Sequence, residues 1–135
     1  MMLILDDDPD VRNALATMIQ RAGFAAVMAA TPAEFYALFA KRKPALVVLD
    51  VVLGGHDVCE VLDFVARSAD PPAVILMSGY DYRILHAMAR LAKDRGLRVL
   101  DVIEKRSDAA TRLAALLKAH AVGPGPARAI EGATA

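Results

Sequence analysis

The sequence predicts an α/β domain: one parallel sheet of five strands with helices on both faces. Two observations carry this. Five short apolar runs are nearly continuous rather than alternating, as strands buried on both faces are. Segments with apolar residues at helical spacing separate them. Right-handed crossovers then leave few topologies.

Met2-Leu3-Ile4-Leu5 reads as the first strand, ended by Asp6-Asp7-Asp8. Pro9 to Ala22 follows as a helix, with Val11, Leu15, Met18, Ile19 and Ala22 at helical spacing and Gly23 as its stop. Asp8 and Asp10 suit its N-terminus as caps and solvated charges. Phe24 to Ala29 is a weaker second strand. Thr31 then caps a helix that opens on Pro32 and runs to about Arg42.

Ala45 to Leu49 is a buried third strand ending at Asp50, with Gly54-Gly55 marking the loop beyond. Asp57 to Ser68 reads as a helix despite the lower propensity of Val58, Val61 and Val65. Pro71-Pro72 precedes the fourth strand, Ala73 to Met77, which Ser78-Gly79 ends. Asp81 to Arg95 carries Ile84, Leu85, Met88 and Leu91 on one stripe, and Gly96 stops it. Leu97 to Ile103 is the fifth strand, and Ser107-Asp108 caps a last helix to about His120. Residues 1–121 form one domain in this reading, and 122–135, with Gly-Pro-Gly-Pro, form a disordered tail or linker.

Composition agrees. A chain of 135 residues fits one domain. It can bury roughly two thirds of its unfolded surface without a disulfide or metal staple. Sixteen basic and sixteen acidic residues give no net charge, which argues against a nucleic-acid backbone binder. Hydrophobic content of 56% argues against disorder. The one cysteine, Cys59, suits a reducing compartment and reads as a packing residue. No signal peptide and no run of about 18 apolar residues is present. The expectation is a soluble, cytoplasmic protein that binds neither nucleic acid nor membrane.

Ligands of an open parallel sheet bind beyond the carboxyl ends of its strands. There the first strand delivers Asp6, Asp7 and Asp8, the third Asp50, the fourth Ser78 and the fifth Lys105. Converging carboxylates repel, so the rim calls for a cation or a raised pKa. All-oxygen ligands favour a hard ion, and Mg²⁺ suits few protein carboxylates plus water and phosphate. A carboxylate beside Mg²⁺ and a lysine is a plausible phosphoryl acceptor.

These residues resemble the receiver domains of bacterial response regulators (CheY-like). The resemblance rests on Leu3-Ile4-Leu5-Asp6-Asp7-Asp8-Pro9, on Leu49-Asp50 followed by Leu53 and Gly55, on Ser78-Gly79 and on Lys105, in order, over residues 2 to about 120. It implies a flavodoxin-like (βα)5 fold. It also implies that Asp50 takes a phosphoryl group from a phosphohistidine on a sensor histidine kinase or phosphotransfer protein. Asp7, Asp50 and the Val52 carbonyl would hold Mg²⁺, with Asp6 acting through water. Ser78 and Lys105 would engage the phosphoryl oxygens, Lys105 pairing with Asp50 at rest. Val52 and Tyr80 would flank the site where the hydrolytic water enters. Output would be an altered affinity for an unnamed downstream protein, and homodimerisation through the fourth helix and fifth strand stays open. The chain would catalyse only its own phosphorylation and dephosphorylation.

The sequence departs from the receiver pattern at four places. Gly54 stands where a proline is common and Val58 where a glycine is usual; Arg106 follows Lys105 in place of proline, and Val102 replaces the aromatic switch residue. Without that proline the Lys105–Arg106 peptide is expected to be trans. Without that aromatic, signal transfer would use loop movement or the fourth helix. These departures motivate the alternative of a phosphorylation-independent interaction module with a receiver fold. A haloacid-dehalogenase-type phosphohydrolase wants a second acid two residues after its nucleophile, where this chain has Val52. The stretch from Met77 to Leu100 is also similar to receivers that precede EAL-type cyclic-di-GMP phosphodiesterases.

His56, in the loop near the pocket, reads as a solvated side chain, and His86 and His120 fall within helices without partners at metal-ligand spacing. Arg90, Lys93, Arg95 and Arg98 read as a solvated helix terminus or a docking face.

Overall fold

A computed structural model describes residues 1–54, 57–79, 82–106, 108–119 and the backbone of 131–132. The strands are β1 (Met2–Leu5), β2 (Ala26–Ala29), β3 (Leu46–Asp50), β4 (Ala73–Ser78), β5 (Val99–Glu104) and the two-residue β6 (Glu131–Gly132). The helices are α1 (Pro9–Arg21), α2 (Pro32–Arg42), α3 (Val58–Ala66), α4 (Tyr82–Asp94) and α5 (Ala109–Ala119). Every pairing is parallel, in the order β5-β4-β3-β1-β2-β6. The chain starts in mid-sheet, steps outward to β2, then crosses to β3 and outward to β5. The reversal opens a crevice between the carboxyl ends of β1 and β3.

Alternation along the strands divides the core into two layers. Leu3, Leu5, Val47, Leu49, Val74 and Leu76 face one side, packed under Phe35 and Phe39 of α2, Val61 and Leu62 of α3, and Leu85 and Ala89 of α4. Met2, Ile4, Leu46, Val48, Ile75 and Met77 face the other, under Leu15 and Ile19 of α1 and Leu113 and Leu117 of α5. Both faces are therefore covered, as the unbroken apolar runs predict.

Local chemistry fixes the helix ends near the crevice. Asp8 caps α1, its carboxylate accepting from the Asp10 amide at 2.9 Å, with Pro9 at the first helical position. Thr31 caps α2 by accepting from the Glu34 amide. Gly96, at φ +84°, takes the left-handed turn after α4 that returns the chain to β5.

Three expectations differ in detail. The buried face of α1 is Arg12, Leu15 and Ile19, with Val11 and Met18 at its margins. In α4 the buried stripe is Leu85, Ala89 and Ala92, while Ile84 is 43% exposed. A sixth strand joins the expected five: Glu131 and Gly132 pair with Val27 and Met28 at the outer edge of the sheet. The rest of the tail lies outside the described residues, as do Gly55, His56, Tyr80, Asp81, Ser107 and His120. Among the described residues no helix is long and apolar enough to cross a membrane.

Candidate functional site

The crevice gathers the strand-end residues. Asp6 and Asp7 follow β1, Asp50 ends β3, Ser78 ends β4 and Lys105 follows β5. Asp6, Asp50 and Ser78 are buried, whereas Asp7 is exposed. One carboxylate oxygen from each of Asp6, Asp7 and Asp50 lies within 4.8 Å of the other two.

Each group is held by a definable contact. Lys105 Nζ lies 2.6 Å from Asp6 Oδ2 and donates to Asp50 Oδ2 at 2.8 Å. The Asp8 amide donates to Asp6 Oδ1 and the Val52 amide to Asp50 Oδ1, both at 2.9 Å. The Gly54 amide donates to Asp7 Oδ2 at 3.0 Å. The Lys105 amide donates to the Ser78 carbonyl at 2.8 Å, which fixes β5 against the end of β4. No peptide bond among the described residues is cis, so Lys105 reaches both carboxylates from a trans Lys105–Arg106 peptide.

Burial pushes the Asp50 carboxyl above its usual range, and the Asp6 carboxylate adds to this; Lys105 and the Val52 amide pull it down without cancelling the rise. Burial works to lower Lys105, but its hydrogen bonds to Asp50 and Asp6 outweigh burial and raise it above an ordinary lysine. Lys105 therefore remains a cation at neutral pH, yet one ammonium leaves Asp50 under-compensated. Three clustered oxygen donors with a charge deficit are what a hard divalent cation fits.

Two contacts had escaped the sequence reading. Arg12, 8% exposed on the apolar face of α1, donates from Nη1 to the Asp6 carbonyl at 2.8 Å. Its spacing of three and seven to Leu15 and Ile19 is a signal that could have placed it there. The Gly54–Asp7 bond spans 47 residues and leaves no local trace in the sequence. Arg106 pairs with Glu104, Nε donating to Oε2 at 2.7 Å. Val102 is half-buried in the place expected for an aromatic switch residue. Cys59 packs with its Sγ 3.9 Å from Met88 Sδ, and Arg95 of the basic cluster pairs with Asp63.

Known proteins share this fold. Residues 2–118 match the family model described as the response regulator receiver domain. The acid tolerance regulatory protein ActR of Sinorhizobium medicae is 31% identical over 117 residues, which cover 87% of this chain and 58% of that protein. The nitrogen assimilation regulatory protein NtrX of Azorhizobium caulinodans is 33% identical over 81 residues, covering 58% of this chain and 18% of that protein. The crystal structure of the receiver domain of NtrX from Brucella abortus superposes with a TM-score of 0.74 at 27% identity, over 90% of this chain and 98% of that one. A response regulator from Colwellia psychrerythraea gives 0.72 at 27%, over 88% and 94%. The chain thus spans 58% or less of these two curated relatives. None of these relatives bears on the likeness to receivers that precede EAL domains. With residues 2–118 matched by the family model and the fold shared with solved receiver domains, the chain belongs to the response regulator receiver domain family, the modules of two-component signalling.

Proposed function

We propose that this domain receives a phosphoryl group on Asp50 from a phosphohistidine of a kinase or phosphotransfer protein and thereby changes its affinity for a protein partner. The carrying observation is the placement of Asp50: a buried carboxylate with a raised pKa, between a lysine and two further carboxylates.

An Asp50 oxygen forms the new P–O bond as the P–N bond of the donor breaks, and the leaving imidazole keeps the electron pair and takes up a proton. Lys105 passes from the carboxylates to a phosphoryl oxygen, and Ser78 donates its hydroxyl to another. Asp7, Asp50 and the Val52 carbonyl would hold Mg²⁺, with Asp6 acting through water; the ion supplies charge neutralisation for the phosphoryl oxygens. A cavity of about 90 Å³, lined in part by Ser78, Gly79, Lys105 and Arg106, adjoins these donors. The chain's chemistry is confined to its own phosphorylation and dephosphorylation, and output is carried by protein contact or onward transfer.

Lys105 reaches its partners without a following proline, which supports this reading over the phosphorylation-independent module. The experiment is transfer from a histidine phosphotransfer protein carrying labelled phosphate. Label should pass to the unaltered chain with Mg²⁺ and fail to pass to Asp50→Asn. Equal labelling of the two chains would end the assignment of Asp50.

A further inference from the structure

The three carboxylates of the crevice are not held alike. Asp6 and Asp50 are buried, and each accepts a backbone amide and faces the Lys105 ammonium. Asp7 is exposed; among the described residues it faces no ammonium, and its single hydrogen bond is the one from the Gly54 amide to Oδ2. Oδ1 is left without a partner there. An exposed carboxylate rotates among rotamers, and one charge-assisted hydrogen bond is enough to select among them. A carboxylate has lone pairs to spare for a cation while one oxygen accepts an N–H.

The donor is specific to this chain's departure from its family. The resemblance places a proline at position 54, and proline has no N–H to give. Glycine supplies the donor, and an added Cβ would stand 3.4 Å from Asp7 Oδ2. Alanine therefore fits there and keeps the N–H, whereas proline removes it. This pair of substitutions separates the hydrogen bond from the bulk of the side chain.

We propose that Gly54 is a positioning residue for the cation site: its amide holds Asp7 with one oxygen presented to the pocket, and so ties the loop between β3 and α3 to metal occupancy. The inference rests on the metal reading above and adds the residue that orients its most exposed ligand. Partners that orient metal ligands commonly change affinity by 10–100-fold when removed. An exposed site belongs at the lower end.

The test is Mg²⁺ binding by calorimetry on the full chain, together with amide hydrogen exchange at Gly54 in chelator. Gly54→Pro should weaken Mg²⁺ binding about tenfold and Gly54→Ala by less than about twofold. In chelator, the Gly54 amide should exchange several-fold faster in Asp7→Ala than in the unaltered chain, a reading that needs neither metal nor an altered loop. Equal affinity in Gly54→Pro, equal loss in Gly54→Ala, or unchanged exchange in Asp7→Ala would each overturn the inference alone. Failure of the unaltered chain to bind Mg²⁺ would overturn it together with the metal reading.

Discussion

Replacing Lys105 by methionine removes the ammonium that stands 2.6 Å from Asp6 Oδ2 and 2.8 Å from Asp50 Oδ2 while keeping most of the stem's packing. At an effective dielectric near 20, each contact is worth about 6 kcal/mol of bare Coulomb attraction, most of it cancelled by desolvation of the ions. The net cost of orphaning a buried charge is roughly 3–5 kcal/mol. Here the lower end applies, because the Lys105 side chain is 17% exposed and water can reach it. For a domain of this size roughly 3 kcal/mol lowers Tm by about 10–15 °C. The assay is urea unfolding at pH 7.5 in chelator, followed by circular dichroism. The midpoint should fall by about 1–3 M, since m for such domains is near 1–3 kcal/mol/M. Added Mg²⁺ should restore part of the loss, because a ligand that binds the native state stabilises it. A variant as stable as the unaltered chain in chelator would refute the claim that Lys105 compensates the carboxylates.

Phe35 is fully buried and its ring meets those of Tyr36, Phe39 and Phe64; Phe35→Ala should cost about 3–5 kcal/mol by urea unfolding. Lys43, at φ +48°, ends α2 in the left-handed conformation, so Lys43→Gly should raise stability by about 1 kcal/mol, and a loss would contradict that geometry. The raised pKa of Asp50 means that the folded state holds its proton more tightly than the unfolded one. Its contribution favours folding at low pH and is lost as pH rises through the raised value. In chelator, Asp50→Asn should therefore gain on the unaltered chain as pH climbs from the ordinary carboxylate range toward neutrality; a gap that narrowed instead would reverse the assigned sign.

The strands were legible because double burial leaves no polar residue to interrupt Leu46–Leu49 or Ala73–Met77. Thr31-Pro32 announced α2 to the residue because its cap is local chemistry. Periodicity misassigned the faces of α1 and α4 where a residue's class and its burial disagree. Arg12 is buried because its guanidinium finds the Asp6 carbonyl, and Ile84 is exposed because the buried face of α4 runs through Leu85, Ala89 and Ala92. The short pairing of Glu131–Gly132 with β2 has no periodic signal in two residues. The crevice was legible as a set of residue types at strand ends, since parallel topology brings those ends together. Its internal assignments, above all the Gly54–Asp7 bond and the sharing of Lys105 between Asp6 and Asp50, depend on distances that no spacing encodes.

The most direct measurement of the central claim is the intact mass of the protein after incubation with Mg²⁺ and a small phosphodonor, beside Asp50→Asn and a chelator control. A single phosphoryl adduct on the unaltered chain, absent from the variant and from the chelated sample, is the predicted result. An unchanged mass with both the small donor and a phosphohistidine donor, or an adduct that persists in Asp50→Asn, would contradict it.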